Sequence, residues 1–80
     1  DQFKLKAGSR EYRDLEKEAK RLERKVIACS EQIQKLDAQL LHTDHTQFDQ
    51  VTKIGQERLG LQNRLDDYEV QWLTLLEKLD

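Results

Sequence analysis

Few residues in this 80-residue sequence have types and spacings that support chemistry. There is no glycine-rich phosphate loop, and no serine, histidine and aspartate or cysteine and histidine lie at a spacing used in nucleophilic catalysis. We therefore expect no catalytic residue and no cofactor-binding residue in this chain, and we do not expect the chain itself to be an enzyme.

A cluster resembling a metal site comprises His42, Asp44 and His45. Metal sites also need neighbouring groups that hold the ligands in place, and a polar loop with two solvated histidines explains the same residues. We predict the loop and no metal site. Cys29, the single cysteine, excludes an internal disulfide and fits a reducing compartment, and we interpret it as a small buried hydrophobic residue.

The strongest binding signal is a set of basic residues at helical spacing in the N-terminal third of the chain. The set is Arg10, Arg13, Lys17, Lys20, Arg21 and Arg24. On a helix they form one stripe, which suits an extended polyanion bound through its phosphates with an affinity that falls with salt. A solvated helix face is the alternative, because Glu16, Glu18 and Glu23 lie close by.

Charge is distributed unevenly along the chain. Residues 1–27 carry nine Lys/Arg and six Asp/Glu, a net charge of +3, whereas residues 28–80 carry five and ten, a net charge of −5. The overall charge of −2 thus conceals a basic end, which favours a polyanionic partner.

The elements that must position these cations follow from a heptad pattern. Apolar residues step by three and four from Tyr12 to Leu40, and again from Val51 to Leu79, where only Arg58 interrupts the second run. The chain has no proline and 38% charged residues, a composition typical of long helices with a narrow apolar stripe. We predict an all-α fold, an antiparallel two-helix coiled-coil hairpin over residues 9–80.

We expect helix one at about residues 10–41, a loop at about 42–46 and helix two at about 47–79. Ser9 is the expected N-cap of the first helix, Thr46 and Asp49 resemble a capping box for the second, and Phe48 is placed to cover the tip. Residues 1–8 have no helical period, and we interpret them as a linker or docking strap.

Folding the chain between residues 43 and 44 places each residue at heptad position a of one helix against a residue at heptad position d of the other. The pairs are Tyr12 with Leu75, Leu15 with Trp72, Ala19 with Tyr68, Leu22 with Leu65, Val26 with Leu61, Cys29 with Arg58, Ile33 with Ile54 and Leu36 with Val51. Small residues then meet large ones, as dense packing requires. The alternative, one continuous helix in a parallel dimer, stacks Arg58 on Arg58. We therefore expect a monomer.

This pairing makes two predictions about residues beside the seam. Arg58 lays its stem over the seam with its guanidinium in water. Lys25 and Arg64 meet as like charges, which folding alone does not favour, while Glu11 and Lys78 can pair. We add Lys25 and Arg64 to the predicted nucleic-acid-binding residues for this reason.

The chain resembles the C-terminal coiled-coil domain of ABC-F ATPases, in particular the Uup-like subgroup. The first helix of the family opens with a segment of the Ser-Tyr-Lys-x-x-Arg-Glu-Leu type, and here Ser9-Arg10-Glu11-Tyr12-Arg13-Asp14-Leu15 stands in that place. The family's second helix ends in an acidic stretch followed by a Tyr and Trp segment, here Asp66-Asp67-Tyr68-Glu69-Val70-Gln71-Trp72. The tip differs, because it lacks the Asp-Pro that family members often carry.

The resemblance implies a cytoplasmic parent protein with two upstream ATP-binding cassettes that would hold ATP and magnesium. In Uup-like members this domain is associated with DNA binding, and the wider family acts on the ribosome, so DNA and ribosomal RNA are the implied partners. Because the chain does not begin with Met, we expect it to be part of a longer protein.

Two other functions remain open. The tRNA-contacting coiled-coil arm of an aminoacyl-tRNA synthetase has the same architecture and charge. A protein-interaction or spacer coiled coil predicts no salt-sensitive nucleic-acid binding. We expect no membrane partner, because no run of about 20 apolar residues occurs in the sequence.

Overall fold

The first helix begins at the predicted cap. A computed structural model describes residues 8–80, and in it helix α1 spans Arg10–His42. The Ser9 hydroxyl accepts a hydrogen bond from the Tyr12 backbone N–H at 3.0 Å, which satisfies one of the free donors of the first turn. At the other end the Thr43 hydroxyl donates to the Gln39 carbonyl oxygen at 2.6 Å, so the last turn is closed by a side chain.

The second helix, α2, spans Phe48–Leu79 and begins without the predicted capping box. Its N-cap is Gln47, which makes no side-chain capping bond. Asp44 organises the loop instead: its carboxylate accepts from the Thr46 N–H and its carbonyl from the Gln47 N–H, both at 2.9 Å. Because Asp44 turns the chain two residues earlier, Thr46 lies in the turn rather than at the cap position.

The packing of α1 against α2 confirms the all-α, two-helix hairpin. The buried side chains all occupy a and d positions of the predicted heptads; they are Ala19, Leu22, Cys29, Ile33, Leu36 and Leu65. The molecule measures 58 × 16 × 14 Å, so the core is a single line of side chains between two helices. None of the helices described is long and apolar enough to cross a membrane.

The register of the seam differs from the prediction by one heptad. Cys29, Ile33 and Leu65 form one buried cluster, and Val26, Leu61 and Tyr68 pack against it. The register that unites all six pairs Val26 with Tyr68, Cys29 with Leu65 and Ile33 with Leu61. The predicted partners of Cys29, Ala19 and Leu15, which were Arg58, Tyr68 and Trp72, are therefore wrong.

The physical reason is that a slip of seven residues keeps every a and d side chain on the seam, so periodicity alone cannot distinguish the two registers. An ion pair distinguishes them. The Arg58 Nε donates to Asp37 Oδ1 at 2.6 Å, and Nη2 lies 3.5 Å from Oδ2. In the predicted register Asp37 would lie about 12 Å along the helix from the residue opposite Arg58, beyond the reach of its side chain.

Arg58 therefore does not simply extend into water, as the sequence suggested. The hydrogen bond to Asp37 raises the pKa of Arg58 above its ordinary value, and the nearby carboxylate charge acts in the same direction. Both side chains are partly exposed, so the pair costs less desolvation than a buried one and serves to mark the register.

The new register staggers the two helices. It places Leu79, the last residue of α2, opposite Leu15, so α1 extends past α2 at the end of the hairpin away from the loop. At the loop end α2 extends past α1. The 58 Å length of the molecule agrees with this, because α1 alone is about 50 Å long.

Two further predictions concern the ends of the hairpin. Phe48 is 75% exposed and does not cover the tip, because the first turn of α2 extends past the end of α1. The predicted linker, residues 1–8, lies outside the described residues except for Gly8. The φ of Gly8 is 88°, a left-handed conformation that glycine adopts without the strain of a side chain.

Candidate nucleic-acid interface

The outer face of α1 carries the predicted cations along its N-terminal half. The six residues of this basic face are all exposed; they are Arg10, Arg13, Lys17, Lys20, Arg21 and Arg24. They occupy heptad positions b, c and f, which point away from α2. From Arg10 to Arg24 the face is about 21 Å long, since each helical residue adds about 1.5 Å.

Acidic residues of the same turns lie mostly beside this face rather than on it. Glu11, Glu16, Glu18 and Glu23 occupy e and g positions, next to the seam. Asp14 alone shares the b, c and f rows with the cations of residues 10–25. The heptad that packs the apolar residues thus also separates the charges, leaving a helix face on which cations outnumber the acid by six to one.

Arg21 differs from the other five because it is already engaged. Its Nε and Nη2 donate to the two carboxylate oxygens of Glu18, at 3.0 and 2.5 Å. This hydrogen bond lowers the pKa of Glu18 and raises that of Arg21, so both groups remain charged at neutral pH. Glu18 therefore competes with any phosphate for Arg21.

Lys25 and Arg64 do not meet, contrary to the prediction. Both are exposed, but Arg64 lines a groove together with Gln32, Glu57 and Leu61. The one-heptad shift carries Arg64 about 10 Å along α1 from Lys25. The like-charge argument for adding these two residues to the site is wrong, and the basic face of α1 is the part of the predicted site that forms one surface.

The same shift moves Lys78. In the new register Lys78 lies opposite Glu18, the carboxylate that binds Arg21, and not opposite Glu11 as predicted. Among residues 8–80 the ion pairs are those of Arg21 with Glu18 and Arg58 with Asp37. Five cations of the basic face thus have no salt-bridge partner within the part of the chain that the structure describes.

The other residues considered for chemistry show no arrangement for it. His42, Asp44 and His45 are exposed at the tip, and within residues 8–80 no group of three or more His, Cys, Asp and Glu is placed to hold a metal ion. The hydrogen bond from the Thr46 N–H lowers the pKa of Asp44, which indicates a structural role in the turn. Cys29 is a free, buried cysteine in the seam.

Two features of the surface were not predicted from the sequence. One is the ion pair of Arg58 with Asp37, because the predicted register placed Arg58 opposite Cys29. The other is the exposure of apolar residues outside the seam, which are Ile27, Leu41, Phe48, Leu59, Val70, Leu73 and Leu76. Their heptad positions outside a and d were the signal that would have identified them.

Comparison with known proteins assigns no family. No protein-family model, no curated protein and no solved structure matches this chain.

Proposed function

We propose that this hairpin is a nucleic-acid-binding appendage, at the C-terminal end of an ABC-F type ATP-binding protein, that holds phosphates on the basic face of α1. The observation that supports the proposal most is that face: six exposed cations along about 21 Å of one helix, with Asp14 the one acid among them. ATP hydrolysis would belong to the upstream cassettes.

The side chains on the basic face suit phosphates rather than bases. Lys and Arg at intervals of three and four residues can follow a sugar-phosphate backbone, but that face of α1 carries no aromatic residue for stacking on bases. Binding is therefore expected to be largely independent of sequence, and DNA and structured RNA are the partners that fit.

The test is a salt titration of binding to a labelled DNA duplex, measured by fluorescence anisotropy. If the five cations without an ion-pair partner each neutralise a phosphate, the logarithm of the binding constant should fall with the logarithm of salt concentration with a slope of about −4 to −5. Replacing Lys17, Lys20 and Arg24 with Glu should weaken binding by at least about tenfold and flatten the slope by about 3 units.

A matched control reverses three exposed lysines outside the basic face, namely Lys35, Lys53 and Lys78. The control variant has the same net charge as the test variant, so a general charge effect would weaken both equally. We expect the control to keep most of its salt dependence. Equal binding by the wild-type and test variants would contradict the proposal.

The same titration separates the proposal from the tRNA-arm function. Both place phosphates on the basic face, but a tRNA-contacting arm predicts preferential binding of folded tRNA over a DNA duplex of equal charge. Binding of both with equal affinity and equal salt dependence supports contact through backbone phosphates alone and argues against a tRNA-specific arm.

A protein-contact function is the second candidate, because two large apolar side chains are exposed at the tip. Leu41 is 83% exposed and Phe48, on the other side of the loop, is largely exposed as well. Both side chains are available at the tip for contact with another protein. This function predicts no salt-dependent DNA binding by either charge variant or by the wild-type chain.

A further inference from the structure

The seam between α1 and α2 can be packed in two registers that differ by one heptad. In the register of the structure Cys29 packs against Leu65. In the other, which we call the slipped register, α2 has moved seven residues along α1, so that Leu22 lies against Leu65 and Cys29 against Arg58. An equal number of apolar pairs meets across the seam in both registers, so apolar packing favours neither strongly.

The loop between the helices closes both registers. In the structure Phe48, the first residue of α2, lies about 6 Å beyond the end of α1 along the hairpin, and in the slipped register it lies about 4.5 Å before that end. With helix axes about 10 Å apart, the gap is about 11–12 Å in both cases. Residues 43–47 span about 20 Å when extended, so the slip requires no unwinding of either helix.

Two polar contacts oppose the slip in the free chain. The Arg58 Nε donates to Asp37 Oδ1 at 2.6 Å, and the slip moves Asp37 about 12 Å along the helix from the residue opposite Arg58. Lys25 and Arg64, which are exposed and apart in the structure, would meet in the slipped register and repel each other. Both contacts therefore favour the register of the structure.

A bound polyanion reverses the second of these contacts. Lys25 lies four residues after Arg21, at the end of the basic face, and the slipped register places Arg64 opposite Lys25. A phosphate held between the two cations turns their repulsion into attraction and extends the basic face by two residues. A ligand that contacts more cations in one of two arrangements shifts the population toward that arrangement.

We propose that polyanion binding on the basic face is coupled to a one-heptad slip of α2, and that the ion pair of Asp37 with Arg58 holds the free chain in the register of the structure. The proposal rests on the nucleic-acid binding proposed above and adds its regulation. The slip moves the C-terminal end of α2 by about 10 Å along α1, so binding is transmitted to the end of the hairpin away from the loop.

Disulfide trapping with Cys29 distinguishes the registers. Leu65→Cys traps the register of the structure, and Arg58→Cys traps the slipped register, more slowly because that register is the minor one in the free chain. Duplex DNA at low salt should accelerate crosslinking of Arg58→Cys at least about threefold and should not accelerate that of Leu65→Cys, the matched control. An unchanged rate for Arg58→Cys, or no crosslink with and without DNA, would overturn the proposal.

The affinities of the two crosslinked chains test the same coupling from the other side. Arg58→Cys is compared with Leu65→Cys carrying Arg58→Ala, so that both chains have the same charge and one disulfide. The slipped chain should bind the duplex at least about threefold more tightly, with a salt slope steeper by about 1–2 units, and Arg64→Gln in both chains should remove the difference. Equal affinities would overturn the coupling alone, whereas a wild-type chain that does not bind DNA would overturn the proposed function and the coupling with it.

Discussion

The two helices have nearly the same length but different surfaces. Helix α1 has five buried side chains and an outer face dominated by charge, whereas α2 has one buried side chain, Leu65, and exposed apolar residues outside the seam. Helix α1 exposes two large apolar side chains outside the seam, Ile27 and Leu41. Helix α2 exposes five, so its division into an apolar seam and a polar exterior is less complete.

The difference in burial arises from side-chain size across the seam. The seam of α1 includes the small residues Ala19 and Cys29, while that of α2 includes Tyr68 and Trp72. In a two-helix assembly the large side chains of one helix cover the other but remain partly in solvent themselves. Leu22 shows the result: the register places it opposite Trp72, and it is only 1% exposed.

Substituting one leucine on each helix should show most clearly how the buried seam side of α1 differs from the exposed outer side of α2. Leu22→Ala removes buried methyl groups and leaves a cavity, so the free energy of unfolding should fall by about 2–5 kcal/mol. Leu59→Ala, at a position that is 61% exposed on α2, should change it by less than about 0.5 kcal/mol. Urea unfolding followed by circular dichroism measures both. A large loss for Leu59→Ala would mean that the outer side of α2 is covered.

Crosslinking tests which residue of α2 lies opposite each residue of α1. In Leu65→Cys, mild oxidation should join the new cysteine to Cys29 and raise the free energy of unfolding by about 2–4 kcal/mol relative to the reduced protein. Mass spectrometry after thiol alkylation detects the bond. Arg58→Cys is the control, because the predicted register places it opposite Cys29. Efficient crosslinking of Arg58→Cys alone would contradict the register described above.

The smallest expected effect concerns the two glycines of α2. A methyl group added at Gly55 or Gly60 would meet no atom within 4 Å, and neither residue has a positive φ. Each change to Ala should therefore raise the free energy of unfolding by about 0.5–1 kcal/mol, through lower backbone entropy in the unfolded chain. Ala28→Gly, at an exposed position of α1, should lower it by a similar amount. A loss of stability in either alanine variant would show that these positions are not open in solution.

Local chemistry made much of the molecule predictable. Ser9 precedes the first heptad and caps α1, and the buried side chains lie where the spacing of three and four places them. The cations of α1 are exposed because they occupy the rows opposite the seam. The capping box failed at Thr46 for a local reason too: Asp44 forms the turn first, and several polar residues in a short loop compete for the same backbone donors.

The basic face of α1, and the fold that presents it, follow from the sequence because both depend on the position of each residue relative to the next within one helix. The pairing across the seam does not. A slip of seven residues leaves every residue at positions a and d on the seam, so the heptad pattern does not determine which residues pair across it. Only the tertiary structure, through the ion pair of Asp37 with Arg58, shows that Cys29 lies against Leu65 and that Lys25 and Arg64 are apart.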